Sequence, residues 1–315
     1  MGAPRDALER ERPVSGFPFV DAHVHFWDLG RLRYPWLTGP FDADGPNGST
    51  EAIAHNYGVD DYLADLSGYQ VRGAVHVDAG ADPVEALDET AWLEQLACDG
   101  GLPTGIVAFA GLDRPDVEAL LAAQAGHKRV RGIRHIVNWH PDARRTYTSL
   151  NLVEDDAWWR GFALLRRFDF SFDLQCYPMQ MPDVASRLRR HPDTPVIVNH
   201  LGMPVLSDPE WLTVWRQGLR ALAEQPQVSL KLSGLGFFSR NWTYELVAPL
   251  LHEALELFGP RRCMFASDAP TDKLFAPIDL CLGALARFAA DLSGDEQHDL
   301  WGRNANRIYR LGLSI

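Results

Sequence analysis

The sequence lacks any long apolar run, any excess of basic residues and any closely spaced pair of cysteines. No stretch reaches the roughly 18 consecutive apolar residues expected of a membrane-spanning helix. The formal net charge is −12 over 315 residues, which argues against nucleic acid or an anionic membrane surface as a partner, because both are bound through basic patches. The four cysteines, Cys98, Cys176, Cys263 and Cys281, form no C-x-x-C pair. Such spacing is typical of a reducing compartment rather than of a disulfide framework.

The N-terminus also lacks the apolar core of a secretory signal. Residues 1–15 carry charges of both signs, so we expect a flexible arm there and a single folded domain over residues 16–315. These absences together predict a cytoplasmic protein whose partner is a small molecule. A homodimer remains open as its assembly state.

What the sequence does contain is a regular succession of short apolar runs with amphipathic segments between them. The eight predicted strands are Phe19–His25, Gly73–Val77, Gly105–Phe109, Gly132–Val137, Ser171–Gln175, Val196–His200, Ser229–Leu232 and Cys263–Ala266. Predicted helices include Asp82–Ala97, Pro115–Ala125, Asp155–Phe168, Asp183–Arg190, Pro209–Ala223 and Tyr244–Leu257. This alternation predicts an α/β protein with a parallel sheet, closed as a (β/α)8 TIM barrel. An open doubly wound sheet is disfavoured because no Gly-x-Gly-x-x-Gly follows the first strand.

Polar side chains gather where the predicted strands end, and in a barrel these ends share the face that carries catalytic groups. His23 and His25 end the first strand two residues apart, so the alternation of strand faces puts both imidazoles on one side. Further strands carry Arg134, Gln175, Asn199, His200, Lys231, Ser233 and, after the eighth, Asp268. Burying so many polar groups is costly without a ligand or a mutual network. We therefore expect a functional site at this face. His76 and His135 also lie on strands, but each can face the helices instead.

Several segments resemble the TIM-barrel branch of the amidohydrolase superfamily that holds sugar-acid lactonases and 2-pyrone-4,6-dicarboxylate lactonase. The matching segments, which cover nearly the whole chain, are 19–27, 34–37, 130–135, 199–204, 231–235, 267–268 and 304–309. The resemblance implies a hydrolase that opens a lactone, most simply that of a sugar acid, by water attack at the barrel mouth. Two rivals stay open: a metal-dependent non-oxidative decarboxylase of the same superfamily, and a barrel that binds a sugar acid without turnover.

The sequence departs from that family at two places. Binuclear members carry a carboxylated Lys on strand four and a His on strand five, where this chain has Arg134 and Gln175. The resemblance therefore implies at most one divalent cation, zinc in the first instance, and leaves a metal-independent reaction open. The family usually follows the Asp of strand eight with Trp-Pro, whereas Ala269 and Pro270 stand here. A bulky wall of the substrate pocket is thereby missing.

The resemblance also implies roles for the clustered residues. His23, His25 and Asp268 would bind the cation, or, without one, the two imidazoles would donate hydrogen bonds to the substrate carbonyl. Asp268 is the predicted general base for the attacking water, and the alternative is a cap on the following helix. His200 is predicted to protonate or hydrogen-bond the leaving oxygen, or to be a further ligand; the alternative is a histidine buried among its strand neighbours.

The remaining candidates are predicted to bind substrate. Arg134 suits a carboxylate, although an ion pair within the protein is equally compatible with the sequence. Lys231 is read either as a salt bridge to an Asp of a neighbouring strand or as a substrate contact, and Gln175 as a hydrogen-bonding group. Trp27 and Trp36 lie in the long segment 26–47, where aromatic rings can stack on a sugar or simply plug the barrel mouth.

Overall fold

A computed structural model describes residues 16–315 of the protein, and the predicted arm over residues 1–15 lies outside this range. Eight parallel strands form one sheet in sequence order from β1 to β8. They are β1 Pro18–Val24, β2 Gln70–Val77, β3 Gly105–Phe109, β4 Val130–Arg134, β5 Ser171–Leu174, β6 Val196–Val198, β7 Val228–Leu232 and β8 Cys263–Phe265. The predicted (β/α)8 barrel is confirmed.

The barrel closes where the ends of β1 and β8 meet. The Asp268 amide donates to the His23 carbonyl over 2.9 Å, and the His25 amide donates to the Ala269 carbonyl over 2.8 Å. Below them the buried Asp21 carboxylate accepts hydrogen bonds from the Ser267 amide and the Tyr62 hydroxyl. The closing hydrogen bonds therefore fix the His23 and Asp268 backbones directly against each other.

Helices surround the sheet as the sequence predicts. They are α1 Val59–Asp65, α2 Ala86–Gly100, α3 Val117–Ala125, α4 Asp156–Leu164, α5 Met181–Leu188, α6 Trp211–Ala223, α7 Tyr244–Phe258, α8 Ile278–Ala289, α9 Gly294–His298 and α10 Asn304–Ile308. A π-helical turn over Asp299–Arg303 joins the last two. The Asp155 carboxylate caps α4 by accepting from the Ala157 amide, which is the role expected of an Asp at a helix start.

Several predicted strands extend too far at their carboxyl ends. The fourth ends at Arg134 rather than Val137, and the sixth at Val198 rather than His200. His200 has a φ of 52°, in the left-handed region that no β-strand residue adopts. The chain turns there, so the polar residues beyond each strand belong to the loops of the barrel mouth.

Small and branched apolar side chains fill the inside of the barrel. Val20, Val75, Val107 and Ile197 are among a buried cluster that also includes Tyr309. Tyr309 directly follows α10, so this helix closes the amino-terminal end of the barrel. The opposite end remains for the site.

Within residues 16–315 no helix has both the length and the apolar character needed to cross a bilayer. All four cysteines are free thiols; Cys98 is exposed and the other three are buried.

Candidate active site

Three histidines and one aspartate meet at the carboxyl ends of β1, β6 and β8. Nε2 of His23 lies 3.2 Å from Nε2 of His25. Oδ1 of Asp268 lies 3.5 Å from the former nitrogen and 3.4 Å from the latter. Nε2 of His200 is 3.9 Å from the same oxygen. All four side chains are buried, so the convergence expected from the strand ends is present.

A local irregularity in β1 brings both imidazoles inward. The register between β1 and β2 shifts between Asp21 and Val24, and Val24 then pairs with His76 on the outer side of the sheet. His23 and His25 flank Val24 and therefore face the barrel axis. The sequence spacing predicts the shared face, but it carries no sign of the shift.

Asp268 is held by its backbone and left free at its carboxylate. Its φ is 53°, an uncommon conformation for a residue with a side chain, and its backbone bonds to His23 and Asp272 fix it there. Neither carboxylate oxygen has a hydrogen-bond partner among the described residues. A buried carboxylate without donors is costly unless a ligand, water or cation completes it.

Burial dominates the electrostatics of the cluster. It lowers the pKa of His25 to about 3 and that of His200 to about 4. Burial, followed by the Lys231 charge, lowers the pKa of His23 well below its ordinary value. Burial also raises the pKa of Asp268, and the charges that oppose this rise are those of His200, when it is protonated, and of Arg134 and Lys231. The imidazoles are therefore neutral at pH 7, the state in which they bind cations or form hydrogen bonds in either direction.

Lys231 lies under His23, inside the barrel. Its Nζ is 3.2 Å from Nδ1 of His23 and forms an ion pair with Asp173 of β5. Oδ1 and Oδ2 of Asp173 lie 2.9 and 3.1 Å from the Tyr309 hydroxyl, which donates to this carboxylate. The salt-bridge reading of Lys231 thus describes this geometry, with a partner two strands away rather than on a neighbouring strand.

Arg134 spans the barrel between β2 and β5. Its Nε lies 3.2 Å from Oδ2 of Asp78, and its Nη1 donates over 3.1 Å to Oε1 of Gln175. The guanidinium also bonds the Asp78 carbonyl. The ion-pair alternative is therefore present, and a substrate carboxylate would have to share this guanidinium with Asp78.

The two predicted aromatic contacts lie at the mouth. The Trp27 ring lies 6.4 Å from the His25 ring and nearly parallel to it, and its indole donates to the His55 carbonyl. Trp36 packs edge-on against Trp27 at 5.5 Å and donates to the Ala79 carbonyl. Both rings anchor segment 26–47 to the barrel. Of the two uncertain histidines, His135 accepts from Trp158 of α4 and so faces the helices, whereas His76 accepts from the Phe26 amide.

Three loops converge at Asn47, which the sequence did not single out. The Tyr147 hydroxyl donates over 2.5 Å to Oδ1 of Asn47, and Arg240 donates to its backbone carbonyl. Burial, then Tyr177 and the Asp268 charge, raise the pKa of Tyr147 well above its ordinary value. The only advance signal was the length of the loops after β1 and β4.

The cluster fits one divalent cation. Ligand atoms of His23, His200 and Asp268 lie within 4.8 Å of one another, and His25 adds a nitrogen beside them. Imidazole nitrogens with one carboxylate are a zinc-type donor set. The unpartnered oxygens of Asp268 are the observation that favours such an occupant.

A buried acid beside the site gives a test by stability. Burial, then the Asp78 charge, raise the pKa of Glu89 from 4.5 to about 8. Ionising this group in the folded protein is therefore unfavourable, and this lowers the free energy of unfolding. The loss is absent below pH 4.5, grows as the pH rises and is complete above about pH 8. Glu89→Gln never ionises, so urea unfolding should show it gaining a few kcal/mol over the parent between pH 5 and pH 8. The exposed Glu256→Gln is the control, and a Glu89→Gln difference that does not change with pH contradicts this explanation.

Comparison with known proteins supplies the context for this geometry. The family model described as Amidohydrolase matches residues 20–311. The chain is 38% identical over 301 residues to the uncharacterized protein y4mH of Sinorhizobium fredii, covering 95% of this chain and 100% of the relative. It is 33% identical over 305 residues to an L-fucono-1,5-lactonase of Burkholderia multivorans, covering 93% and 96% of the two chains.

A solved structure agrees with these relatives. The crystal structure of an amidohydrolase from Burkholderia multivorans with bound zinc superposes with a TM-score of 0.77 at 31% identity. The match covers 93% of this chain and 99% of that one. The family match, the relatives and the fold agree over almost the whole described chain, as the resemblance of the motifs implied. The chain therefore belongs to the amidohydrolase family.

Proposed function

We propose that the protein hydrolyses the ring ester of a sugar-acid lactone at the barrel mouth. One observation carries the proposal: the carboxylate of Asp268, without a hydrogen-bond partner among the described residues, faces three neutral imidazoles in a buried site. A free base beside hydrogen-bond donors or cation ligands is the arrangement that water attack on a carbonyl requires.

The coarse activity follows from relationship. The family and the lactonase relatives make the protein a hydrolase that acts on ester bonds. The choice of a sugar-acid lactone is the finer proposal, supported by the lactonase relatives and by the ring of Trp36, which is half-buried at the mouth, whereas Trp27 is fully buried and packs on His25. Such rings stack well on the C–H faces of sugar rings.

The chain's own residues account for the proton transfers. Asp268 accepts a proton from the attacking water while the new C–O bond forms. The imidazoles of His23 and His25 lie where the carbonyl oxygen would become negative. As the ring C–O bond breaks, the proton on Asp268 returns to the leaving oxygen, which His200 hydrogen-bonds. The product is a hydroxy acid, which releases one proton to solvent at neutral pH.

A divalent cation, zinc in the first instance, would be held by Asp268 together with imidazoles of the cluster formed by His23, His200 and the adjacent His25. When bound, it would polarise the carbonyl and lower the pKa of a coordinated water. A metal-independent reaction through the same histidines is the alternative, and metal content decides between them.

The decisive experiment combines substrate and metal. The purified protein is tested against 1,4- and 1,5-aldonolactones and a pyrone dicarboxylate lactone in a pH-indicator assay, before and after treatment with a chelator. We expect acid release with at least one aldonolactone. Carbon dioxide release instead would support the decarboxylase, and tight lactone binding without product would support the binding barrel; either result overturns the proposal.

The contact at Asn47 predicts a substrate-affinity effect. Tyr147→Phe removes the hydroxyl that holds the loops after β1 and β4 together, and one such hydrogen bond contributes about 0.5–1.5 kcal/mol. We expect KM for the best lactone to rise about 2- to 10-fold, with kcat nearly unchanged. Tyr244→Phe on α7, whose ring packs under Arg287 of α8, is the matched control. An unchanged KM in Tyr147→Phe contradicts a role for this contact in closing the mouth.

A further inference from the structure

A chain of hydrogen-bond contacts runs through the first two histidines of the site. Nζ of Lys231 lies 3.2 Å from Nδ1 of His23, whose Nε2 lies 3.2 Å from Nε2 of His25. Nδ1 of His25 lies 2.7 Å from the Val77 carbonyl oxygen. Each imidazole nitrogen can donate or accept, so the direction of this chain is set at its ends.

One end can only donate. An ammonium group has three N–H donors and no acceptor, and Lys231 is fully buried between its partners. The Asp173 carboxylate pairs with it and also accepts from Tyr309. Because Asp173 accepts from both neighbours, it holds the Lys231 ammonium in place, and a remaining N–H points at His23.

The other end can only accept. The Val77 carbonyl has no proton to give, so Nδ1 of His25 donates to it. An imidazole that carries one proton and donates it from Nδ1 has Nε2 as its acceptor nitrogen. Nε2 of His23 then carries a proton and donates to Nε2 of His25, since Nδ1 of His23 already accepts from Lys231. Both ends thus agree on one direction.

We propose that Lys231 is a positioning residue that fixes this direction, so that Nε2 of His23 carries a proton, which it donates to His25 in the free protein and to the carbonyl oxygen of a bound substrate. The proposal rests on the proposed function for its substrate, but the direction of the chain does not. Without Lys231, Nδ1 of His23 is free to carry the proton, and the donor facing the site is lost.

The same geometry separates the two histidines as cation ligands. A coordinating imidazole normally donates its second N–H to an acceptor. His25 meets this condition through Val77, whereas His23 faces a donor at Nδ1 and holds its proton at Nε2. Lys231 therefore disfavours cation binding through His23, which is left as a donor.

Ring-nitrogen NMR of the metal-free protein, labelled with ¹⁵N-histidine, tests the direction. His23→Gln identifies the His23 signals by their loss. We expect the parent protein to show His23 protonated at Nε2 alone. In Lys231→Met/Asp173→Asn, which removes both charges and keeps an acceptor for Tyr309, we expect that preference to disappear. Protonation of His23 at Nδ1 in the parent, or protonation at Nε2 alone in the double variant, overturns the proposal. Single Lys231→Met is unsuitable because it leaves the buried Asp173 carboxylate without its counter-ion.

Zinc affinity and turnover give independent readings. In chelator competition we expect the double variant to bind zinc about tenfold or more tightly than the parent. Lys273→Met, a lysine paired with Asp65 near the surface, is the control and should leave affinity unchanged. The kcat for a lactone should fall about 100-fold in the double variant with little change in KM. If neither the parent nor the double variant hydrolyses a lactone, the proposed function fails, but the NMR and zinc results still decide the role of Lys231. Unchanged zinc affinity in the double variant contradicts that role.

Discussion

Asp268→Asn is expected to lower kcat for lactone hydrolysis by about three orders of magnitude. One oxygen of the buried carboxylate lies within 3.9 Å of a nitrogen of each of the three imidazoles, and neither of its oxygens has a hydrogen-bond partner among the described residues. General-base catalysis contributes about 10²- to 10⁴-fold, and an amide cannot accept the proton of the attacking water. The substitution keeps shape and volume and the backbone bonds to His23 and Asp272, so the circular dichroism spectrum and thermal midpoint should stay close to those of the parent.

The control for this prediction is a carboxylate of no expected importance. Asp291→Asn changes an exposed side chain after α8 and should retain full activity. Turnover by Asp268→Asn within tenfold of the parent contradicts the base assignment. If His200→Asn is folded but inactive while Asp268→Asn is active, His200 and not Asp268 is the general base.

Arg134→Met is expected to lower both the stability and the activity of the protein. It leaves the Asp78 carboxylate buried and without its counter-ion, and breaking a buried pair costs about 3–5 kcal/mol. Oδ1 of Asp78 also accepts from the Gly80 amide, a bond that Asn can keep. The double variant Arg134→Met/Asp78→Asn should therefore recover most of the free energy of unfolding measured in urea.

The double variant also separates a structural role of Arg134 from substrate binding. If the guanidinium also binds substrate, kcat/KM stays at least about 100-fold below that of the parent in both variants. The double variant regains stability, but it still lacks the charged contact between the guanidinium and the substrate. Recovery of activity along with stability assigns Arg134 to structure alone. Arg216→Met, which breaks the more exposed pair with Glu253, is the control and should cost no more than about 1 kcal/mol.

The sequence predicts the frame of the site well because periodicity and spacing carry that information. Short apolar runs alternating with amphipathic segments allow few arrangements other than a barrel, and the barrel brings the ends of β1, β6 and β8 together. His23, His25, His200 and Asp268 therefore meet as the strand ends predict. The predicted ends of strands such as β6 lie beyond the observed ends, because the turn at His200 depends on backbone angles that the composition does not reveal.

The partners of the buried charges could not be predicted. Asp173 pairs with Lys231 two strands away, and Asp78 pairs with Arg134 across a similar distance around the barrel. Which inward residues meet depends on the stagger of the strands, and no single sequence encodes this visibly. The contact of Tyr147 with Asn47 could not be predicted either, because it joins two long loops whose paths are set by tertiary packing.

The position of Tyr309 has a consequence for how the chain reaches its native state. Its hydroxyl bonds a carboxylate 136 positions earlier, and the neighbouring Arg310 carbonyl accepts from Arg131 over a separation of 179. Contacts so distant along the chain form only after large loops have closed, which slows the rate-limiting step. We therefore expect the inside of the barrel to stay open at one end during synthesis until this tyrosine has left the ribosome. A chain that ends before residue 309 should remain sensitive to protease. A chain that includes Tyr309 and has left the ribosome should be resistant.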